Sequence, residues 1–482
     1  MTVSKLPLAA LVAALPLPLL AQDLTILVAP RDTPAYDMAS EMEDEQTVFA
    51  ERRIHRAFDR AAEHMPACGT CTVSIKLAAG AYTGRGDTGM WTFPNVEAPG
   101  ASLHITGGWD DAFASRAPFE TPTLLVSTDA RSAPVLQFEG RRHAMAELVL
   151  SGLVFDTSPS NRYDAQSASL MKSGSSTWSH VSFGYLETGH LVVADNVFMN
   201  APEGVGSPQL RTPDGGMRID ITNNIFFNSV TPWVIPGGAS DARPEEIAIT
   251  GNSFVLNWPR NPDPTTSNPG ALEIGNNYAT DHVLIEGNLF AWNMGGAIFS
   301  QWDHDRSPPI TIRDNLFWQN GLMYGATRAD DGVMVGKFNG AAVHSIYDAL
   351  DLEDDFDWTT EDNESFDPGF LLEVPELQTI RYGSEYRGAD VVAAEAQEET
   401  LSASDQEAVD DLAAQLAALT GGSMESEEDS SDAPAGVQIL GPDDSIANYA
   451  PELPFDVVGV PMPTNPDAEA YGASQERIWR AE

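Results

Sequence analysis

Asn224-Ile-Phe-Phe-Asn228 decides how this chain is read, because the chain says nearly the same thing five times. Its companions are Asn196-Val-Phe-Met-Asn200, Asn252-Ser-Phe-Val-Leu-Asn257, Asn288-Leu-Phe-Ala-Trp-Asn293 and Asn315-Leu-Phe-Trp-Gln-Asn320. Short β-branched runs precede them, such as Ile219-Asp-Ile-Thr222, Ile247-Ala-Ile-Thr250, Val283-Leu-Ile-Glu286 and Ile310-Thr-Ile-Arg313. The central phenylalanines, Phe198, Phe226, Phe254, Phe290 and Phe317, are spaced by 28, 28, 36 and 27 residues. Self-similarity at such a period marks stacked supersecondary units. No amphipathic helical run separates the strands, which argues against βαβ units, and a propeller blade would need four strands in a longer repeat. The expected fold is therefore all-β: parallel strands stacked coil upon coil, with Ile and Phe inward and Asn at the bends.

Asn suits a bend because it tolerates left-handed backbone geometry and its amide bonds neighbouring turns. Repeated at one point of successive coils, such amides bond one another as a ladder. Asn196, Asn224, Asn252, Asn288 and Asn315 are accordingly assigned a structural role. Upstream the register is open: Phe155 to Phe183 fits one coil, Phe183 to Phe198 is too short, and one of Phe183 and Phe198 stands outside the ladder.

Residues 43–66 carry an apolar stripe (Val48, Phe49, Ile54, Phe58, Ala61, Ala62) at helical spacing, and the strand Thr72–Leu77 and the turn Ala78-Ala-Gly-Ala-Tyr-Thr83 follow. A solenoid needs its first coil covered, and this helix fits that role. Helix, strand and turn in this order, followed by Gly107-Gly-Trp-Asp-Asp111 and Thr123-Leu-Leu-Val126, resemble the opening of secreted pectate-lyase-like proteins. The resemblance implies a right-handed parallel β-helix solenoid with an N-terminal capping helix. Asp367-Pro-Gly-Phe370, Phe455-Asp-Val-Val-Gly459 and Asp467–Tyr471 resemble the closing segments of that superfamily. The expected organisation is a signal peptide over 1–21, a linker over 22–42, the capping helix over 43–66 and the β-helix over 67–384. An acidic, disordered insertion over 385–435 and a C-terminal cap segment over 436–482 complete it. Residues 388–435 contain no Lys or Arg.

A basic start, Met1 to Lys5, and an apolar run, Leu6 to Ala21, read as a secretory signal, so a secreted or periplasmic, soluble, monomeric protein is expected. Nothing later is apolar for long enough to insert in a membrane. The 482 residues carry 26 Lys and Arg against 71 Asp and Glu, a net charge of −45. That excess excludes nucleic acid and anionic membrane surfaces as partners. Two readings of it stand: solvation in a salty medium, or Ca²⁺ binding by dense carboxylates such as Glu353, Asp354, Asp355 and Asp357. No cofactor is fixed by the sequence, no metal ligand is assigned, and Ca²⁺ is the one candidate. Cys68 and Cys71, the only cysteines, read as a structural disulfide in an exported chain, with a redox pair as the lesser alternative.

The pectate-lyase-like fold hosts many chemistries, so the reaction must be argued from residues. The paired-Asp and Gly-His-Gly pattern of polygalacturonase-like hydrolases is missing, as is the Gln-Asp signature of pectin methylesterases. One loop gathers chemistry: Gln301-Trp302-Asp303-His304-Asp305-Arg306, between two clear repeats. It resembles the Asp-Pro-His-Asp motif of β-helical alginate epimerases without the proline. Asp303, His304 and Asp305 are the catalytic candidates, with Lys337 as a base, since the chain holds only four lysines. Asp281-His282 precedes the previous long strand and is placed one coil away on the same side. Trp292, Trp302 and Trp318, with Arg306, are candidates for holding sugar rings; for Trp292 and Trp318, core filling is the competing reading. The expected function is binding of a polysaccharide, with cleavage or epimerisation of it. The alternative is a non-catalytic extracellular scaffold.

Overall fold

The computed structural model of the chain describes residues 22–44, 46–83, 91–126, 135–138, 143–156, 162–164, 169–171, 180–183, 185–199, 209–211, 216–227, 229, 233–235, 244–255, 257, 271–274, 282–293, 296–300, 309–318, 320, 335–337, 358–369 and 463–479. Residues 1–21, expected to be a signal, most residues between repeats and the acidic stretch 385–435 lie outside them.

The chain forms a parallel β-solenoid. A twelve-stranded sheet runs from Val48–Glu51 through Leu24–Val28, Thr72–Ala78, Glu97–Trp109, His143–Ser151, Tyr185–Ala194, Arg218–Thr222, Glu246–Thr250, His282–Glu286 and Ile310–Arg313 to Trp358–Glu361, with Gln209–Arg211 as the twelfth strand, paired beside this path to Tyr185–Ala194. A second sheet of eight short strands stacks Gly80–Thr83 through Val197–Met199, Ile225–Phe227, Ser253–Val255 and Leu289–Ala291 to Leu316–Trp318. A third sheet of four strands contains Trp233–Ile235, Leu272–Ile274, Ile298–Ser300 and Val335–Lys337. Each later coil visits the long, short and third sheet in turn, and each pair of neighbours is parallel and in register.

Alternation along the long strands sorts the side chains. Ile219, Ile247, Val283 and Ile310 occupy one inward column, and Ile221, Ile249, Ile285 and Ile312 the next, all 0–1 % exposed. The short strands contribute a column of stacked rings. Phe155, Phe198, Phe226, Phe254, Phe290 and Phe317 lie 4.6–5.1 Å apart, centroid to centroid, within 12° of parallel. Phe198 therefore continues the column from Phe155, while Phe183 stacks on Phe138 in a separate one.

Two residues turn each long strand into a short one. The first has a left-handed backbone in coil after coil: Gly152, Asp195, Asn223, Gly251, Gly287, Asp314 and Asp362, with φ between 49° and 72°. Only Gly, Asn and Asp adopt that conformation readily, which explains the composition of the column. The second, from Asp195 onward, is Asn. Its backbone N–H and its side-chain Nδ2 both donate to Oδ1 of the next Asn, running Asn196, Asn224, Asn252, Asn288, Asn315 and Asn363, at 2.8–3.1 Å. Each Nδ2 also donates to a carbonyl of the preceding coil, as Asn252 does to Ile221 at 2.9 Å. A second ladder links Asn257, Asn293 and Asn320 where the short strands end.

The N-terminal organisation differs from the sequence expectation. Residues 22–42 are no linker: Leu24–Val28 lies between Val48–Glu51 and Thr72–Ala78 in the long sheet, and Pro34–Met42 is a helix. Val48 and Phe49 belong to a strand, and the helix spans Ile54–Cys68 instead of 43–66. The stripe misled because Val48 and Phe49 belong to a sheet edge that borders the helix. Ile54, Ala57, Phe58, Ala61 and Met65 are buried in the common core, with Phe58 edge-on to Phe93 at 5.3 Å. Cys68, in the last turn of this helix, is disulfide-bonded to Cys71.

Residues 463–479 return to the solenoid as a strap. Thr464 and Asn465 bond back to Gly369 and Pro368, and Asn465 Nδ2 donates to the Asp367 carbonyl. From there the strap descends across the coils, along the bend between the long and short sheets.

Candidate functional site

Titratable side chains form a linked row on the outer face of the long sheet. Glu147, His190, Arg218, Glu246 and His282 are register partners on five consecutive strands. Parallel strands lie about 4.8 Å apart, so acids and bases on neighbouring strands come within reach of one another. Glu147 accepts hydrogen bonds from His104 Nε2 at 2.7 Å and His190 Nδ1 at 2.8 Å. The other nitrogen of His190, Nε2, donates to Asp220 at 2.7 Å, and Arg218 Nε donates to the same carboxylate at 2.9 Å. His282 Nε2 lies 3.0 Å from Thr311 Oγ1.

These contacts set the charge states. Bonds to Asp220 and then Glu147 hold the His190 imidazolium, whose pKa is raised to about 9. The bonds from His104 and then His190 lower that of Glu147 to about 2. Burial opposes ionisation of Asp220, and the bonds from His190 and Arg218 overcome it, leaving its carboxyl below the usual range. An imidazolium with both N–H groups committed to carboxylates has no lone pair to offer as a base. The row is a charge clamp between coils.

The clamp has a pH window. The His190 pKa is raised on folding, so its contribution is complete below about 6.5 and fades as pH climbs through about 9. The Glu147 pKa is depressed, so its contribution is present above about 4.5 and fades as pH falls through about 2. Because the His190 side chain is a third exposed, screening reduces its share to about 1 kcal/mol. The melting temperature should fall between pH 6.5 and 9, and His190→Gln should flatten that slope. Parallel profiles for the two proteins would contradict the clamp.

Residues 301–308, and with them Trp302, Asp303, His304, Asp305 and Arg306, lie outside the described residues. Their chain neighbours are placed. Ser300 ends a third-sheet strand, and its register partner on the next coil is Lys337. The stretches 275–281 and 301–308 both connect the third sheet to the long sheet in consecutive coils, leading to His282 and Ile310 respectively.

The two tryptophans at repeat ends do not form an open platform. Trp292 is 2 % exposed and occupies a left-handed turn, with its backbone N–H donating to the Trp318 carbonyl. Trp318 packs with Leu289, Ala291, Leu316, Ala468, Phe366 and Tyr471 beneath the strap. Core filling accounts for Trp292, which follows the strand Leu289–Ala291 into the packing, while Trp318 ends its own strand, Leu316–Trp318, part-buried. Trp292 is therefore closed to a sugar ring, whereas Trp318 keeps part of its surface.

No carboxylate belongs to a metal-ligand group among the described residues. The one such group is His64, Cys68 and Cys71, whose ligand atoms lie within 4.8 Å of one another, and its two sulfurs are joined to each other. A disulfide sulfur is not the thiolate that metals take.

Sequence reading missed the His104–Glu147–His190–Asp220 row. The signal lay in the outward positions of aligned long strands, and it emerges only once the register upstream of Phe198 is fixed. No helix among the described residues is long and apolar enough to cross a membrane. No family model, curated protein or solved structure matches this chain.

Proposed function

We propose that this chain is an exported, pectate-lyase-like right-handed β-helix protein, closed at its N-terminal end by the helix Ile54–Cys68, that binds a polysaccharide and cleaves or epimerises it. The observation that carries this reading is the pairing of Ser300 with Lys337. It brings the backbone of a scarce lysine beside the point where the chain enters Gln301-Trp-Asp-His-Asp-Arg306. In this reading His304 moves the proton, Asp303 and Asp305 tune its charge, Lys337 is the base or steadies developing negative charge, and Trp302 and Arg306 hold the sugar. The polar clamp on the long sheet, its imidazolium already committed, is left to stability. A protein of net charge −45 repels uronate polymers, which favours a neutral glycan or one bridged by Ca²⁺.

A panel of plant and marine polysaccharides, with and without chelator, tests the proposal by scoring bound protein and unsaturated or reducing products. At least one glycan should be bound and altered. A blank across the panel would leave the non-catalytic scaffold, a reading favoured by the burial of Trp292 and the strapping of Trp318.

A further inference from the structure

The C-terminal strap is held like a ligand. After the left-handed Gly472 (φ 72°), the strap advances about one coil per residue to the extended Ser474. Gly472 N–H donates to the Gly287 carbonyl, Ala473 N–H to Ser253 Oγ at 2.9 Å, and Ser474 N–H to Asn223 Oδ1 at 2.6 Å. Gln475 Oε1 accepts from Phe119 N–H at 3.1 Å. Trp479 N–H donates to both oxygens of Asp195, at 3.1 and 3.0 Å, and its carbonyl accepts from Arg116 Nη1 at 3.3 Å. The Trp479 ring lies on Val149, Val192 and Ala194 of the long sheet and edge-on to His104 at 6.1 Å.

The receiving groove is built from the αL column of the bends. Asp195, 1 % exposed, is fixed in advance by Asn223 Nδ2 at 2.7 Å and Ser151 Oγ at 2.9 Å, with Arg116 Nη2 3.7 Å away. A buried carboxylate aimed at a backbone N–H, with an aromatic anchor beside it, is how peptide sites secure both register and affinity. Close approach is required at Gly472, where a Cβ would come within 2.4 Å of Ser253 Oγ and 2.9 Å of Leu289 Cβ. Most of these bonds go to strap backbone, and every one joins segments distant in sequence.

We propose that this groove is a peptide-binding site, occupied in cis by Tyr471–Trp479, that also accepts the same segment from a second copy of the chain. Thr464 is bonded to Gly369, from which it is 95 residues distant in sequence. The strap thus docks on coils far from it in sequence, and tethering raises its local concentration without adding contacts.

The test uses the full-length Trp479→Ala chain, whose own strap is weakened, and a fluorescent synthetic peptide of residues 463–482. The peptide should saturate this chain in an anisotropy titration. Replacing Trp479 by Ala in the peptide, or adding Asp195→Asn to the chain, should weaken binding at least 10-fold. Binding no tighter than that of a scrambled peptide would overturn the proposal. If Trp479→Ala does not fold, the titration is made on the wild-type chain, where the labelled peptide must displace the tethered strap. Failure to displace it at a large excess over days would show the strap to be an integral part of the fold, and would overturn the proposal equally. These outcomes are independent of the glycan assay.

Discussion

Asn252→Ala should lower the stability of the solenoid by about 3–5 kcal/mol in denaturant unfolding, far more than an average substitution. The side chain is 0 % exposed and works in two directions. Its Oδ1 accepts the backbone and side-chain N–H groups of Asn224, each at 2.9 Å. Its Nδ2 donates to Asn288 Oδ1 and to the carbonyls of Ile221 and Thr250. Alanine leaves the Asn224 backbone N–H and the Ile221 carbonyl buried without these partners, and each such group costs about 1–3 kcal/mol. Asn363, at the last described rung and part-buried, should cost less than half as much when replaced. Equal losses at the two positions would mean that the ladder does not transmit stability between coils.

Phe254→Ala should cost about 3–5 kcal/mol, through lost burial and the cavity that remains. The ring is sandwiched between Phe226 at 4.6 Å and Phe290 at 4.8 Å, nearly parallel to both. Stacked pairs contribute about 0.5–1.5 kcal/mol beyond area, so a double-mutant cycle with Phe290→Ala should show coupling of that size. Because coils contact only their neighbours, the damage should open the adjacent coils first, visible as hydrogen exchange concentrated around residues 225–255 and 282–291. Uniform exchange along the stack would argue against this.

The solenoid was legible in the sequence because its core repeats are side-chain columns. A Phe or an Asn at a fixed point of each coil is visible without any structure. Features made by long-range pairing were not. Leu24–Val28 looks like any short apolar run, and only its partners at Val48–Glu51 and Thr72–Ala78 make it a sheet strand. The longer first coils hid the register, since Phe155 pairs with Phe198 across an interposed Phe183 that belongs to another column. The second Asn ladder was present in the quoted repeats, at Asn257, Asn293 and Asn320, but Asn200 and Asn228 of the first two repeats fall one position earlier, which obscured the alignment. The residue preceding each ladder Asn, always Gly, Asn or Asp, was a readable turn signal. Trp292 shows the opposite failure: an aromatic at a repeat end looked available, and the left-handed turn buries it. The strap could be guessed from Asp467–Tyr471 as a closing segment, whereas its line of contact with Gly287, Ser253, Asn223 and Asp195 required the fold.

The most direct measurement is a kinetic comparison, on a polysaccharide that the wild-type protein alters, with His304→Ala and Lys337→Ala at matched melting temperature. The proposed function predicts that kcat/KM falls at least 100-fold in each, the scale of a lost acid, base or charge stabiliser. Unchanged turnover in both variants would contradict it and place any chemistry elsewhere on the solenoid.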